Sequence, residues 1–119
     1  MTEKEKKTDL GTLKINNEVI ASIARNAALQ VDGVEAIKSN PFLSAVDFLS
    51  RGYHNKGIKL DIAEGEVKVG LTIVVRFGIN IPDVANVVQE NIRTAIEEMT
   101  GLPVTEVNVN IGDIHSEET

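Results

Sequence analysis

The chain contains no cysteine. That excludes a thiol nucleophile, a thiolate metal site and any disulfide staple, and it fits a reducing compartment. Histidine occurs only twice, as His54 and His115. A metal site needs several convergent ligands, and no His-x-x-His or Cys-based spacing supplies them. Aromatic residues make up 3% of the chain, and the predicted strands of its core carry Phe77 as their only one. Sheet surfaces that bind RNA need stacking aromatics and a basic face. Here 12 basic residues face 18 acidic ones, for a net charge of -6. Such a chain repels phosphate backbones and anionic lipid surfaces. Its one dense basic cluster, Lys4, Lys6 and Lys7, is neutralised by Glu3, Glu5 and Asp9. No apolar run approaches the roughly 18 residues needed to cross a bilayer. The opening MTEKEKKTD also lacks the apolar stretch of a signal peptide. The expectation is a cytoplasmic protein with no nucleic-acid partner and no membrane span of its own, peripheral at a membrane only through another protein.

What is present is packing. A length of 119 residues fits one domain with a real core. The expected organisation is a disordered tail over 1–9, a single α+β domain over 10–114 with an insertion at 39–55, and a loose tail over 115–119. A short first strand is predicted from Leu10 to Ile15. Asn16 or Asn17 then caps a helix, with Glu18 in the first turn where the helix dipole favours an anion. Val19, Ile20, Ile23, Ala24, Ala27, Ala28 and Val31 form its apolar stripe. The alanines make that stripe thin, so the helix lies close to a sheet. Gly33 suits the left-handed position that ends a helix, and Val34 to Ile37 reads as a brief strand.

Ile58, Leu60 and Ile62 alternate as a strand. Glu64-Gly65-Glu66 turns it into a long one, in which Val67, Val69, Leu71, Ile73, Val75 and Phe77 share one side. Pro82 fits the first turn of a second helix, and Gly101 and Pro103 end it near Thr100. Val84, Val87, Val88, Ile92, Ala95, Ile96 and Met99 are its apolar positions. Val107, Val109 and Ile111 alternate in a last strand. The order is strand-helix-strand-strand-helix-strand, with both helices on one face of a mainly antiparallel sheet. A two-layer sandwich of the ferredoxin-like split βαβ kind is the first expectation. Another two-layer α+β order is the alternative.

The search for chemistry finds little. His54 reads as an exposed loop residue without an orienting partner. Asp61, Glu64 and Glu66 border a turn and read as solvated charge rather than a tuned carboxylate pair. Glu97 and Glu98 read as solvent face, and Gln89, Asn91 and Arg93 as surface or a helix–helix contact. Gly70 interrupts a strand and predicts a bulge or a close backbone approach. No phosphate-binding glycine motif occurs. The prediction is that the chain is not an enzyme and has no catalytic, cofactor-binding or metal-ligating residues.

The candidate functional surface has two parts. The first is the insertion, where Phe42, Leu43, Val46 and Leu49 follow a short helical pattern with Phe48 and Tyr53 beside them. It reads either as a lid that completes the core or as a self-assembly or partner surface, since large rings carry much of the burial energy in both settings. The second is the other face of the long strand, with Lys68, Thr72, Val74 and Arg76.

The stretch RFGINIPDVANVVQENIRTAIEEMTGLPVTEVNVNIGDI, from Arg76 to Ile114, resembles the C-terminal signature of the alkaline shock protein twenty-three family, also called Gls twenty-four-type envelope stress response proteins. GTLKINNEVIASIARNAALQVDGV, from Gly11 to Val34, is similar to that family's opening strand–helix–GV pattern. NKGIKLDIAEGEVKVGLTIVVRFG resembles its hairpin. The resemblance spans about residues 10 to 114 and matches the insertion least. It implies a non-enzymatic cytoplasmic protein of Gram-positive bacteria that serves cell-envelope homeostasis, with no cofactor and no catalytic residue to carry over. Some members reach the membrane through a separate integral anchor protein and assemble into filaments or clusters. Others are tied to control of fatty-acid and phospholipid metabolism, and this short form looks more like those. Two functions are therefore expected to compete. One is a scaffold acting by self-association and by docking to a membrane anchor protein or a lipid-metabolism enzyme. The other is a regulatory domain that senses a lipid-metabolism intermediate in a groove between insertion and sheet.

Overall fold

The computed structural model describes residues 6–8, 11–13, 16–39 and 53–116. Helix α1 runs Asn17–Leu29. Asn16 caps it: its side-chain oxygen accepts the Val19 N–H at 2.8 Å, satisfying a donor that the first helical turn leaves without a partner. Ala21, Ala24 and Ala28 are fully buried, so α1 packs through its backbone-width alanine stripe. Helix α2 runs Ile81–Thr100. Asn80 Oδ1 accepts the Asp83 N–H at 3.1 Å, Pro82 occupies the first turn, and Gly101 ends the helix in the left-handed conformation at φ 77.

The strands are β1 (Lys6–Thr8), β2 (Gly11–Leu13), β3 (Val34–Ile37), β4 (Tyr53–Asn55), β5 (Ile58–Ala63), β6 (Glu66–Arg76) and β7 (Val104–His115). β6 is the axis of the main sheet. One of its edges carries β7, parallel, over Val67–Arg76. Its other edge carries β5 opposite Glu66–Leu71 and then β3 opposite Ile73–Val75, both antiparallel. β4 pairs the outer edge of β5. Val67, Val69, Leu71, Ile73 and Val75 turn to the helices and are buried, and they meet Val88, Ile92 and Ile96 of α2 and Ile20 and Ala24 of α1 in one core. The alternate residues of β6 face away from the helices, as a period of two requires.

This is the expected two-layer α+β sandwich in the expected element order. Several details differ. The first strand occupies Gly11–Leu13 within the predicted Leu10–Ile15, and it pairs with β1 in a separate two-stranded ribbon. β6 and β7 are direct neighbours, whereas the ferredoxin-like order sets a strand between its two parallel partners. Lys6–Thr8 forms a strand inside the stretch expected to be a disordered tail, and β7 extends through His115 rather than releasing it to a loose one. The His115 carbonyl is held there by the Phe77 N–H at 2.8 Å. His54 sits in strand β4 instead of a loop. The sheet does carry bulges, but on β3 at Glu35 and on β7 rather than at Gly70. The β6–β7 register slips between Val67 and Lys68 and again between Ile73 and Val74, inserting Thr105 and Gly112 as extra residues on β7.

Candidate interaction surface

Alternation along β6 sets Lys68, Thr72, Val74 and Arg76 on the sheet face opposite the helices. Lys68 is exposed, and the other three are half-buried. Register places Asp61 and Glu106 on either side of Lys68, so that lysine sits between two carboxylate-bearing neighbours. Arg76 reaches across to Asp32, Nη2 to Oδ1 at 3.2 Å, with Asp32 almost fully in solvent. Thr72 lies under a crowded point of β7: a Cβ added at Gly112 would stand 2.4 Å from Thr72 Cγ2. The face is polar and neutral on balance, with Asn108 and Asn110 of β7 continuing it next to Gly70 and Thr72.

Of the insertion residues, Phe42, Leu43, Val46, Phe48 and Leu49 lie outside the described residues. Tyr53 lies within them. It is partly buried against the core, and its hydroxyl accepts from Asn55 Nδ2 at 3.0 Å. Tyr53 therefore packs on the helix side of the sheet, away from the Lys68–Arg76 face, so the two parts of the expected surface do not meet through it.

The helix layer offers a second surface that residue type alone did not reveal. A groove of about 620 Å³ runs between α1 and α2. Val19, Ile23, Ala95 and Met99 supply its apolar lining, and Glu18 and Glu98 contribute carboxylates at its rim. Met99 is 64% exposed and Val87 50%, although both fit the helical apolar stripe. Met99 lines the groove and stays wet at its mouth, whereas Val87 lies outside the groove lining. Asn91 ties the groove floor together, its Nδ2 donating to the Ala27 carbonyl at 2.9 Å. That carbonyl lies in the last turn of α1, where the Val31 N–H turns to Ala28 instead. Phe77, at 70% exposed, stands just past the end of β6, beside His115 at the end of β7.

The polar residues of α2 are not plain surface. Gln89 Nε2 donates to the Val107 carbonyl at 2.9 Å, and Arg93 Nε donates to the Val104 carbonyl at 3.4 Å. Glu97 Oε2 accepts the Val104 N–H at 2.9 Å. Only the spacing of 89, 93 and 97, one stripe at i, i+4 and i+8, hinted that these three act together. Among the described residues no group of three or more His, Cys, Asp or Glu side chains converges as a metal site would require. No helix among them is long and apolar enough to cross a membrane.

Comparison with known proteins places this arrangement. The fold resembles the MamM CTD: one such chain superposes with a TM-score of 0.52 at 12% identity, covering 82% of this chain and 99% of that one. At that identity the likeness extends to the fold alone. Sequence relatives are nearer. The uncharacterized protein YqhY of Bacillus subtilis (strain 168) is 41% identical over 104 residues, covering 87% of this chain and 77% of YqhY. The uncharacterized protein Spy1535 of Streptococcus pyogenes serotype M6 is 26% identical over 111 residues, covering 92% of this chain and 84% of its own. The model of a family described by its cell envelope-related function matches residues 5–116, nearly all of the two-layer domain and its flanks. The chain belongs to that family, the alkaline shock protein twenty-three family.

Proposed function

We propose that this protein serves the cell envelope as a non-enzymatic interaction module, working through self-association and docking to partners. Family membership supports the envelope role. The observation that carries the mode of action is the set of large apolar side chains left in solvent on a small acidic domain: Phe77, Met99, Val87 and Ile114 are all exposed. Two of them lie at one end of the β6–β7 pair and two on α2, and a contiguous apolar area at either place is what would mark a contact surface. A membrane anchor protein or an enzyme of membrane-lipid metabolism is the partner class proposed, in a cytoplasmic setting. Sedimentation velocity across a range of concentrations, paired with crosslinking in cells, tests this reading. Concentration-dependent assembly and capture of an anchor or an acyl-metabolism enzyme are the expected results. A strictly monomeric chain that captures neither would refute it.

A second reading rests on the α1–α2 groove, whose size and mixed lining suit a small amphipathic ligand. In that case the domain senses a lipid-metabolism intermediate there, rather than between insertion and sheet. Titration with short acyl compounds, followed by the amide signals of Ile23 and Ala95, separates the two: no shift at either residue removes the sensing role.

A further inference from the structure

The outer edge of β7 is unpaired by any strand among the described residues. Edge strands present free N–H and C=O groups that template another strand unless something guards them. β7 is guarded at both ends. At its start, Val104 N–H is taken by Glu97, and the Val104 and Val107 carbonyls by Arg93 and Gln89. Past the Gly112 bulge, the Ile114 N–H donates to the side chain of its neighbour Asp113 at 2.9 Å. Between the guards lies Val107–Ile111, VNVNI, a run without charge in a chain of which 25% is charged. Successive residues of a strand point their backbone groups to alternate edges. The Val107 carbonyl points outward to Gln89, so Val109 and Ile111 point outward too, while Asn108 and Asn110 serve the β6 ladder. No hydrogen bond among the described residues reaches the outward groups of Val109 or Ile111. Ile111 and Ile114 beside them are exposed.

We infer that this window pairs, antiparallel and about a twofold axis at Asn110, with the same window of a second copy. The inference rests on the self-association reading and names its surface. The occupant follows from the count of groups. Two outward residues offer two donors and two acceptors. Opposing Val109 to Ile111 of the second copy, and the reverse, lets each pair exchange both of its N–H to C=O bonds, and no outward group of Val109 or Ile111 is left unpaired. The charge pattern agrees. A chain of net charge -6 meets itself here at its uncharged run, with Glu106 and Asp113 outside the paired window. The contact is short, at the low end of interface size, so it is reversible and concentration-dependent.

The absence of native cysteine makes Asn110→Cys a clean probe. Asn110 would face its own copy at a non-hydrogen-bonded position, about 4.5 Å between Cα atoms, inside the roughly 4.4–6.8 Å span of a disulfide. The full chain carrying Asn110→Cys should form a covalent dimer under mild oxidation at least about tenfold faster than Lys59→Cys, an exposed control on β5; this factor corresponds to about 1.4 kcal/mol of local preference. Val109→Pro deletes one outward N–H and leaves the β6 ladder intact, as proline on an edge strand does. It should shift sedimentation toward monomer with circular dichroism unchanged, and should Val109→Pro unfold the chain, the cysteine pair decides alone. Suppose the native chain associates but Asn110→Cys crosslinks no faster than Lys59→Cys. Then this edge pairing is wrong while self-association stands. Asn110→Cys recovered only on another protein also overturns it. A native chain monomeric at every concentration removes both.

Discussion

Gly112→Ala tests the way β7 seats against β6. Elsewhere in an edge strand this change should help slightly, because alanine narrows the unfolded ensemble by about 0.4–1 kcal/mol. At Gly112 the backbone φ is not positive, so no left-handed strain opposes the new side chain. The obstacle is space: its Cβ would stand 2.4 Å from Thr72 Cγ2 and 3.0 Å from Lys38 Cδ. The lysine chain is flexible and can swing away. Thr72 is β-branched, stiff at χ1, and sits on the central strand. Relief therefore requires an off-rotamer threonine or a slip of the bulge, at a cost of about 1–3 kcal/mol, which exceeds the entropic gain. The net expectation is a loss of about 1–2 kcal/mol. With a urea m-value of about 2 kcal/mol/M, the unfolding midpoint falls by roughly 0.5–1 M. Thr72→Ala removes the offending methyl. In that background Gly112→Ala should cost under about 0.5 kcal/mol, giving a coupling of at least about 0.5 kcal/mol between the two sites. A neutral Gly112→Ala, or an equal cost in both backgrounds, refutes the steric account of this glycine.

Ile92→Ala should lose about 2–5 kcal/mol by urea melt, because Ile92 is fully buried between α2 and the sheet. Asn91→Ala should lose about 1–3 kcal/mol, since it strips the Ala27 carbonyl of its donor; hydrogen exchange should speed up in the last turn of α1 before the melting temperature moves. Arg25→Met should be neutral or gain up to about 1 kcal/mol, because Arg25 Nη1 is buried without a hydrogen-bond partner among the described residues; a clear loss by thermal melt would mean the guanidinium has a partner worth finding. Asp32→Ala should change stability by less than about 1 kcal/mol, since its ion pair with Arg76 is largely in solvent; doubling the salt should erase even that.

The helices were legible because their ends are written locally. Asn16, Asn80, Pro82 and Gly101 each act within one turn of where they sit, so reading along the chain finds them. β5 and β6 were legible for the same reason, through a turn and a period of two. What was not legible depends on partners distant in sequence. Gly70 and Gly112 look alike on the page, yet only Gly112 is crowded, because only it falls at a register slip against Thr72. Gln89, Arg93 and Glu97 read as surface because nothing in their type says that a strand edge lies within reach. Val87 and Met99 fit the apolar period but stay exposed, since periodicity gives the direction of a stripe and not the width of the contact that covers it. The open face of β6 followed from alternation. The expected Lys68, Thr72, Val74 and Arg76 do share it, while Tyr53, expected in the insertion as core lid or interface, turns to the core side.

Helix α2 divides its circumference among three tasks. Val88, Ile92 and Ile96 fill the core. Asn91 completes the last turn of α1, and Gln89, Arg93 and Glu97 close the start of the β7 edge. Those bonds consume the polar groups that adhesive surfaces usually offer, so the contacts proposed between copies fall to what α2 leaves free: the Val109–Ile111 window, the α1–α2 groove and the open sheet face. These surfaces differ in symmetry. An edge pair about a twofold is closed and stops at two copies, whereas a groove set against a different face is heterologous and continues. The oligomer size therefore reports which surface is in use. If the edge alone operates, sedimentation should plateau at a dimer however high the concentration. Growth past the dimer requires a second, heterologous contact, and it should survive Val109→Pro while changing with Met99→Glu at the groove mouth. Assemblies that respond to neither substitution would place the contact on a surface other than these two.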